Sequence, residues 1–174
     1  PGALASRPPI DGLDSPRVHT LRTVDDALAL REASGTRAVV LGAGFIGIEA
    51  VEAFARRGFE THLVEFAEHV LPPLEVEMAT LVTQELRSLG VSVHAGVAAQ
   101  SITHSDDHDS VTLSDGTVLT ADVIVLSTGV RPDTAFAEAA GIETERGYIL
   151  VDARGRTSVD DVYAVGDGTI GRDH

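Results

Sequence analysis

The chain has 174 residues and a mass of 18.2 kDa, with 13 basic against 27 acidic side chains and a formal net charge of −14. That length suits one domain or one domain with additions, and 43% hydrophobic with 23% charged residues is ordinary globular usage, which excludes fibrous and disordered classes. The acidic balance argues against nucleic acid, the apolar run from Ala38 to Ile48 is too short to span a bilayer, and no basic segment leads a hydrophobic stretch at the N-terminus, so a cytoplasmic protein without a membrane partner is expected.

Pro8-Pro9, Asp11-Gly12 and Ser15-Pro16 predict an extended loop over residues 1–16. Thr23 is placed to cap a helix with Asp25 and Asp26 in its first turn, ended by Ser34-Gly35. Ala38-Val39-Val40-Leu41 is a continuous apolar run suited to a strand covered on both faces. It feeds into Gly42-Ala43-Gly44-Phe45-Ile46-Gly47 and a helix with Ile46, Ala50, Ala53 and Phe54 on one face. A strand over 61–65 follows, then a helix carrying Met78, Val82, Leu86 and Leu89, and a third strand over 91–94. The period then changes to two: short strands over 101–103, 110–113 and 118–120 form a meander, the last pair joined by Ser114-Asp115-Gly116-Thr117. An apolar strand over 122–126 ends in Ser127-Thr128-Gly129, a short helix covers 134–140, and strands are expected over 148–151 and 162–165, just before Gly166-Asp167. The expected fold is α/β, a Rossmann-like parallel sheet with helices on both faces and an inserted three-stranded antiparallel β-meander.

The glycine element gains its meaning from its place between a buried strand and a helix. There a tight turn needs Gly42, close approach of a pyrophosphate needs Gly44, and helix–strand packing needs Gly47, while free N–H groups at the helix start face the anion. Glu65 ends the next strand, where its carboxylate can accept both hydroxyls of an adenosine ribose, and Phe66-Ala67-Glu68-His69 supply no cation for a 2′-phosphate, so NAD(H) is favoured over NADP(H). His104 and His108, with Asp106, Asp107 and Asp109, have metal-ligand chemistry but lie between two strands, where the spacing does not converge side chains, and are read as a solvated acidic loop without a metal. The lack of cysteine excludes disulfides, thiolate metal sites and a cysteine nucleophile within these residues, and Ser127 has no nucleophile-elbow context.

Three stretches taken together, Val39 to Glu49, Leu126-Ser127-Thr128-Gly129-Val130-Arg131-Pro132, and Arg156-Thr157-Ser158 running to Val162-Tyr163-Ala164-Val165-Gly166-Asp167, resemble the FAD-dependent pyridine nucleotide-disulfide oxidoreductases over nearly the whole chain. Val70-Leu71-Pro72 and the helix with Glu77-Met78 look most like the NADH oxidase and coenzyme A-disulfide reductase branch. The resemblance implies an NAD(P)H-binding domain over residues 23–143, flanked by segments 1–22 and 144–174 of a split FAD domain. The chain is then read as the NADH-binding portion of a longer enzyme whose partners are the rest of the FAD domain and a dimerisation domain, which transfers hydride from nicotinamide to flavin and then to a disulfide, oxygen or another acceptor. It also implies that Phe45 gates the nicotinamide pocket, that Glu49 faces the nicotinamide side, that Gly129 lets the nicotinamide half approach the sheet, and that Gly166-Asp167 meets the ribityl chain of FAD. With Ile46 and Phe66 these residues complete the expected cofactor-binding set. A non-catalytic dinucleotide-binding or redox-sensing module is the alternative; the flavin-type motif at 156–167 favours the flavoenzyme.

Overall fold

The computed structural model describes residues 2–171. In chain order the elements are β1 (Ala3–Ala5), β2 (Val18–Thr20), α1 (Val24–Glu32), β3 (Arg37–Leu41), α2 (Phe45–Arg56), β4 (Glu60–Glu65), α3 (Val76–Ser88) and β5 (Ser92–Ala95). They continue with β6 (Ala99–His104), β7 (Asp109–Leu113), β8 (Val118–Ala121), β9 (Val123–Leu126), β10 (Val130–Pro132), α4 (Ala135–Ala139), β11 (Thr144–Glu145), β12 (Tyr148–Val151) and β13 (Thr169–Gly171). Two compact units result: one spans Arg7–Gly129, the other is the chain up to Ser6 and from Val130 onward. These bounds differ from the expected divisions after 22 and 143. Strand β2 pairs with β9 and so joins the first unit, while Ala137 and Ile142 pack with Ile149 and Val151 in the second.

The first unit is built on a parallel sheet of order β2-β9-β3-β4-β5, with the antiparallel meander β6-β7-β8 beside it. The α/β class and the meander are as the sequence predicts, but the placement of helices on both faces is corrected. Strand alternation sends Val40, Leu63, Val123 and Val125 to one face, where Leu30 of α1, Val51 and Phe54 of α2, and Leu86 of α3 all pack. Val39, Leu41, Val64, Ile124 and Leu126 point the other way, onto Ile102, Val111, Leu113 and Leu119 of the meander. Both faces are covered, which is why the strands read as unbroken apolar runs, and an apolar run carries no information about what covers it.

Two helix faces are rotated from expectation. Helix α2 buries Gly47, Ala50, Val51 and Phe54, leaving Ile46 and Ala53 exposed, and α3 buries Ala79 and Leu86 while Met78 and Leu89 are exposed. Helix α1 starts as predicted: Thr23 Oγ1 accepts the Asp26 N–H at 3.1 Å and the Asp26 carboxylate accepts the Thr23 N–H at 2.9 Å, a capping box.

At the amino edge of the sheet Asp122 accepts the Thr36 and Arg37 N–H groups at 2.9 and 3.0 Å and the Arg37 guanidinium at 2.5 Å. The Arg37 hydrogen bond holds its carboxyl at about 2, well below the ordinary carboxylate range. A carboxyl depressed in the folded state stabilises it above its unfolded pKa, near 3.8, and loses that contribution as pH falls through about 2. Asp122→Asn is therefore expected to lower stability at neutral pH and to flatten the loss of stability between about pH 4 and pH 2, read from urea melts across that range.

The segment 104–109 is not merely a solvated loop. Asp109 is fully buried, accepts the Ser15 hydroxyl, and lies 3.2 Å from Arg17 Nη1 and 2.7 Å from His104 Nδ1. Arg17 also donates to the carbonyls of Ser105 at 2.9 Å and Asp106 at 2.7 Å. Arg17 and His104 of this cluster line a cleft of about 610 Å³ at the amino edge together with Glu32, Asp107 and Asp122; of these, Arg17, His104 and Asp122 are paired with protein atoms.

In the second unit β1 pairs with β10 and a small sheet runs β11-β12-β13 over Ala137, Ile149 and Val151. Strand β1 lies inside the segment predicted as loop. The predicted strand over 162–165 is corrected too: Tyr163 makes only a bridge to Arg156, Tyr163 and Val165 are exposed, and β12 takes β13 as its parallel neighbour. Among the described residues no group of three or more His, Asp or Glu is placed to hold a metal ion, and no helix is long and apolar enough to cross a membrane.

Candidate functional site

From β3 the chain lays down β4 and β5 on one side and later returns to add β9 on the other, so the strand order reverses between β3 and β9. In open α/β sheets the carboxyl ends at such a reversal form a ligand crevice. Leu41 is in register with Val64 and with Leu126, so the glycine turn after β3, Glu65 at the end of β4 and Ser127 to Gly129 after β9 emerge side by side.

Each glycine of the turn has a different physical reason. Gly42 has φ +101°, and a Cβ there would stand 2.5 Å from the Ser127 carbonyl oxygen. A Cβ on Gly47 would lie 1.9 Å from the Gly42 carbonyl oxygen, so helix α2 rests directly on the turn. Gly44 has extended backbone, φ −72° and ψ −177°, and a Cβ there would meet nothing within 4 Å. Gly44 is also the N-cap of α2, no side chain caps it, and the first turn carries no acidic residue. The helix start thus presents N–H groups and the positive end of its dipole to open space, a cradle suited to the phosphates of a dinucleotide.

Around that space stand Phe45 and Phe66, 67% and 80% exposed, with Ile46 and Glu49 also exposed along α2. Gly129 has φ +91° and open space where a Cβ would be. Glu65 has its carboxylate turned to the backbone: Oε2 accepts the Ala43 N–H at 2.6 Å and Oε1 the Ala67 N–H at 2.8 Å. The expected residues Gly42, Gly44, Phe45, Ile46, Gly47, Glu49, Glu65, Phe66 and Gly129 therefore all belong to the first unit, whereas Gly166 and Asp167 belong to the second. There the Gly166 carbonyl accepts the Thr169 N–H at 3.1 Å and hydroxyl at 2.8 Å, and Asp167 is exposed.

Two contributors escape sequence reasoning. Ser127 Oγ lies 3.0 Å from the Leu41 carbonyl oxygen and 2.8 Å from that of Gly42, pinning the glycine turn to the end of β9; the sequence marks its place directly after an apolar strand but not these partners. Leu71 is 6% exposed, holds a left-handed φ of +48° and donates its N–H to the Ala43 carbonyl at 2.8 Å, for which the sequence carries no signal.

The family described as pyridine nucleotide-disulphide oxidoreductase matches residues 1–173. The large subunit of the NAD(P)H nitrite reductase of Klebsiella oxytoca is 37% identical over 164 residues, which is 92% of this chain and 17% of that subunit. A ferredoxin reductase for the CYP199A2 system of Rhodopseudomonas palustris superposes with a TM-score of 0.92 at 33% identity, over 98% of this chain and 43% of that one. The water-forming NADH oxidase of Lactobacillus brevis, bound to NADH, superposes with a TM-score of 0.89 at 28% identity over 97% of this chain and 38% of its own. An engineered NADPH oxidase made from it by five substitutions, bound to NADPH, gives a TM-score of 0.90 at 27% identity, over 97% of this chain and 38% of its own. The chain thus spans less than half the length of each of these proteins.

Proposed function

Because the chain belongs to the pyridine nucleotide-disulphide oxidoreductase family, we propose that residues 7–129 bind NAD(H) across the carboxyl edge of the parallel sheet and present its nicotinamide to FAD within a flavoprotein oxidoreductase. FAD and NAD(H) are the cofactors of this family. The observation that carries the reading is the open, uncapped start of α2 at Gly44, set at the strand-order reversal. The pyrophosphate lies on the first-turn N–H groups, the adenosine ribose donates to Glu65, and Phe66 flanks the adenosine half. Gly129 lets the nicotinamide half reach the sheet edge, with Phe45 over its pocket and Glu49 on the same side. Gly166 and Asp167 contribute to the ribityl side of FAD, and residues 1–6 and 144–174, the parts of the expected flanking segments that lie in the second unit, supply flanking parts of the FAD domain.

FAD, when bound, supplies the hydride acceptor and passes electrons on to a disulfide, oxygen or another acceptor; the protein aligns the two cofactors. The remaining FAD domain and a dimerisation domain are the proposed partners, and the location is cytoplasmic.

Preference for NAD(H) is part of this proposal. A carboxylate at Glu65 repels a 2′-phosphate, and no Arg or Lys follows within 66–72. The engineered NADPH oxidase supports it. There a glycine became alanine, an aspartate eighteen positions later became alanine, the next two residues became arginine and serine, and a proline seven positions after the aspartate became arginine. The same intervals here fall on Gly47, Glu65, Phe66, Ala67 and Pro72. Calorimetric titration of the chain is expected to give NADH at least about tenfold tighter than NADPH, a difference of about 1.4 kcal/mol. Glu65→Ala with Phe66→Arg should reverse the order, and equal affinities in the unsubstituted chain would remove Glu65 from the role.

A further inference from the structure

Every peptide plane of the glycine turn except the last is held at both its C=O and its N–H. Between Leu41 and Gly42 the carbonyl accepts the Ser127 N–H at 2.8 Å, and the N–H donates to the Val64 carbonyl at 2.8 Å. Between Gly42 and Ala43 the carbonyl lies 2.8 Å from Ser127 Oγ, and the N–H donates to Glu65 at 2.6 Å. Between Ala43 and Gly44 the carbonyl accepts the Leu71 N–H at 2.8 Å, while the Gly44 N–H has no acceptor among the described residues. A trans plane carries its C=O and N–H on opposite sides, so the bond from Leu71 turns the Gly44 N–H outward, beside the first-turn N–H groups of α2. Glycine is permissive in both dihedrals, and without an outside contact the plane ahead of Gly44 can turn over at little backbone cost.

Leu71 supplies that contact from a strained backbone. It has φ +48° and directly precedes Pro72, a position that favours extended conformations. Of the three non-glycine residues with left-handed φ among the described residues, Leu71, Arg146 and Asp161, only Leu71 is buried. Its carbonyl accepts the Leu74 N–H at 2.8 Å, which closes the turn leading into α3. Strain of this kind persists only where the surroundings over-determine it, and it gathers where a ligand is held.

We propose that Leu71 is a positioning residue for the pyrophosphate: its N–H locks the Ala43–Gly44 plane in the orientation that leaves the Gly44 N–H free for a phosphate oxygen. The loop that leads into α3 thereby sets the aim of a donor in the turn after β3, with no Leu71 atom on the ligand. The assignment of the ligand rests on the dinucleotide reading above; the lock is a property of the turn. Without the Leu71 N–H the buried Ala43 carbonyl loses its donor, and the plane is free to carry the Gly44 N–H out of position.

The test removes that one N–H. Leucic acid, the α-hydroxy analogue of leucine, placed at position 71 turns the amide into an ester and keeps the side chain. Calorimetric titration of the ester chain is expected to give NADH and ADP-ribose affinities about fivefold weaker, the equivalent of one net hydrogen bond, and at least about threefold weaker. Leu71→Asn is the opposite case. It keeps the N–H, tolerates a left-handed backbone and buries a polar side chain, so it should melt lower than the ester chain yet bind NADH within about threefold of the unsubstituted chain. Affinity that follows the N–H and not the melting temperature is the result expected of a positioning role. An ester chain binding within that threefold margin, or an asparagine variant that loses as much affinity as the ester, would overturn it. Amide exchange is the second readout: Leu71 should exchange slowly and Gly44 rapidly in the free chain, with Gly44 slowed by bound ADP-ribose. A Gly44 amide already protected in the free chain would also overturn the assignment. An unsubstituted chain that binds neither NADH nor ADP-ribose removes the dinucleotide reading and this assignment together, whereas failure in the ester chain alone leaves the dinucleotide reading standing.

Discussion

Gly44→Val is expected to reduce NADH binding by roughly a hundredfold or more, equivalent to about 2.7 kcal/mol, while the chain melts within a few degrees of the unsubstituted protein. The separation of binding from stability follows from the backbone. Gly44 sits in extended conformation that any residue adopts, and a Cβ there meets no protein atom within 4 Å. Valine is thus tolerated by the fold and objectionable only to whatever occupies the space in front of α2, where the first-turn N–H groups point. The neighbouring glycines give the contrast. Gly42→Ala places a side chain at φ +101° against the Ser127 carbonyl, and Gly47→Ala drives one to within 1.9 Å of the Gly42 carbonyl, so both should lose stability along with binding. Calorimetry beside thermal melts of the three variants distinguishes them. Near-native NADH affinity in Gly44→Val would move the phosphate site away from this turn.

The second large effect is on the fold. Asp109→Ala is expected to cost about 3–5 kcal/mol, the range for breaking a buried ion pair by removing one partner. The Asp109 carboxylate is fully buried and collects the Ser15 hydroxyl, Arg17 Nη1 and His104 Nδ1. Without it the buried Ser15 hydroxyl loses its acceptor and the Arg17 guanidinium its counter-charge. Asp109 also opens β7, the central strand of the meander that covers Leu41 and Leu126, whose carboxyl ends carry Gly42 and Ser127. Loosening it should therefore weaken NADH binding as well as lower the urea midpoint. Asp109→Asn, which keeps one acceptor oxygen but no charge, should fall between. A cost under about 1 kcal/mol for the alanine variant would show that the cluster does not hold the meander.

How much of this was legible in the sequence follows from which interactions are local. The apolar run before Gly42, the glycine spacing, the cap at Thr23 and the period-two strands around Asp115-Gly116 are set by backbone chemistry over a few residues, so the parallel sheet, the meander and the glycine turn between β3 and α2 could be read directly. Non-local pairing could not. An apolar strand is the same string whether a helix or a meander lies over it, so the gathering of α1, α2 and α3 on one face was decided only when the meander closed over Leu41 and Ile124. Asp109 reads as one carboxylate in an acidic stretch until Ser15 and Arg17, more than ninety positions away, surround it. Glu65 was readable as an acid at a strand end; that its two oxygens stitch Ala43 to Ala67 depends on β3 and β4 lying side by side and on Leu71 and Gly96 holding the carbonyls of the same two residues. The sequence by itself determined which residues line the carboxyl edge, because spacing along each strand does so, while the tertiary structure alone decided what their polar atoms hold, because those partners arrive from distant parts of the chain.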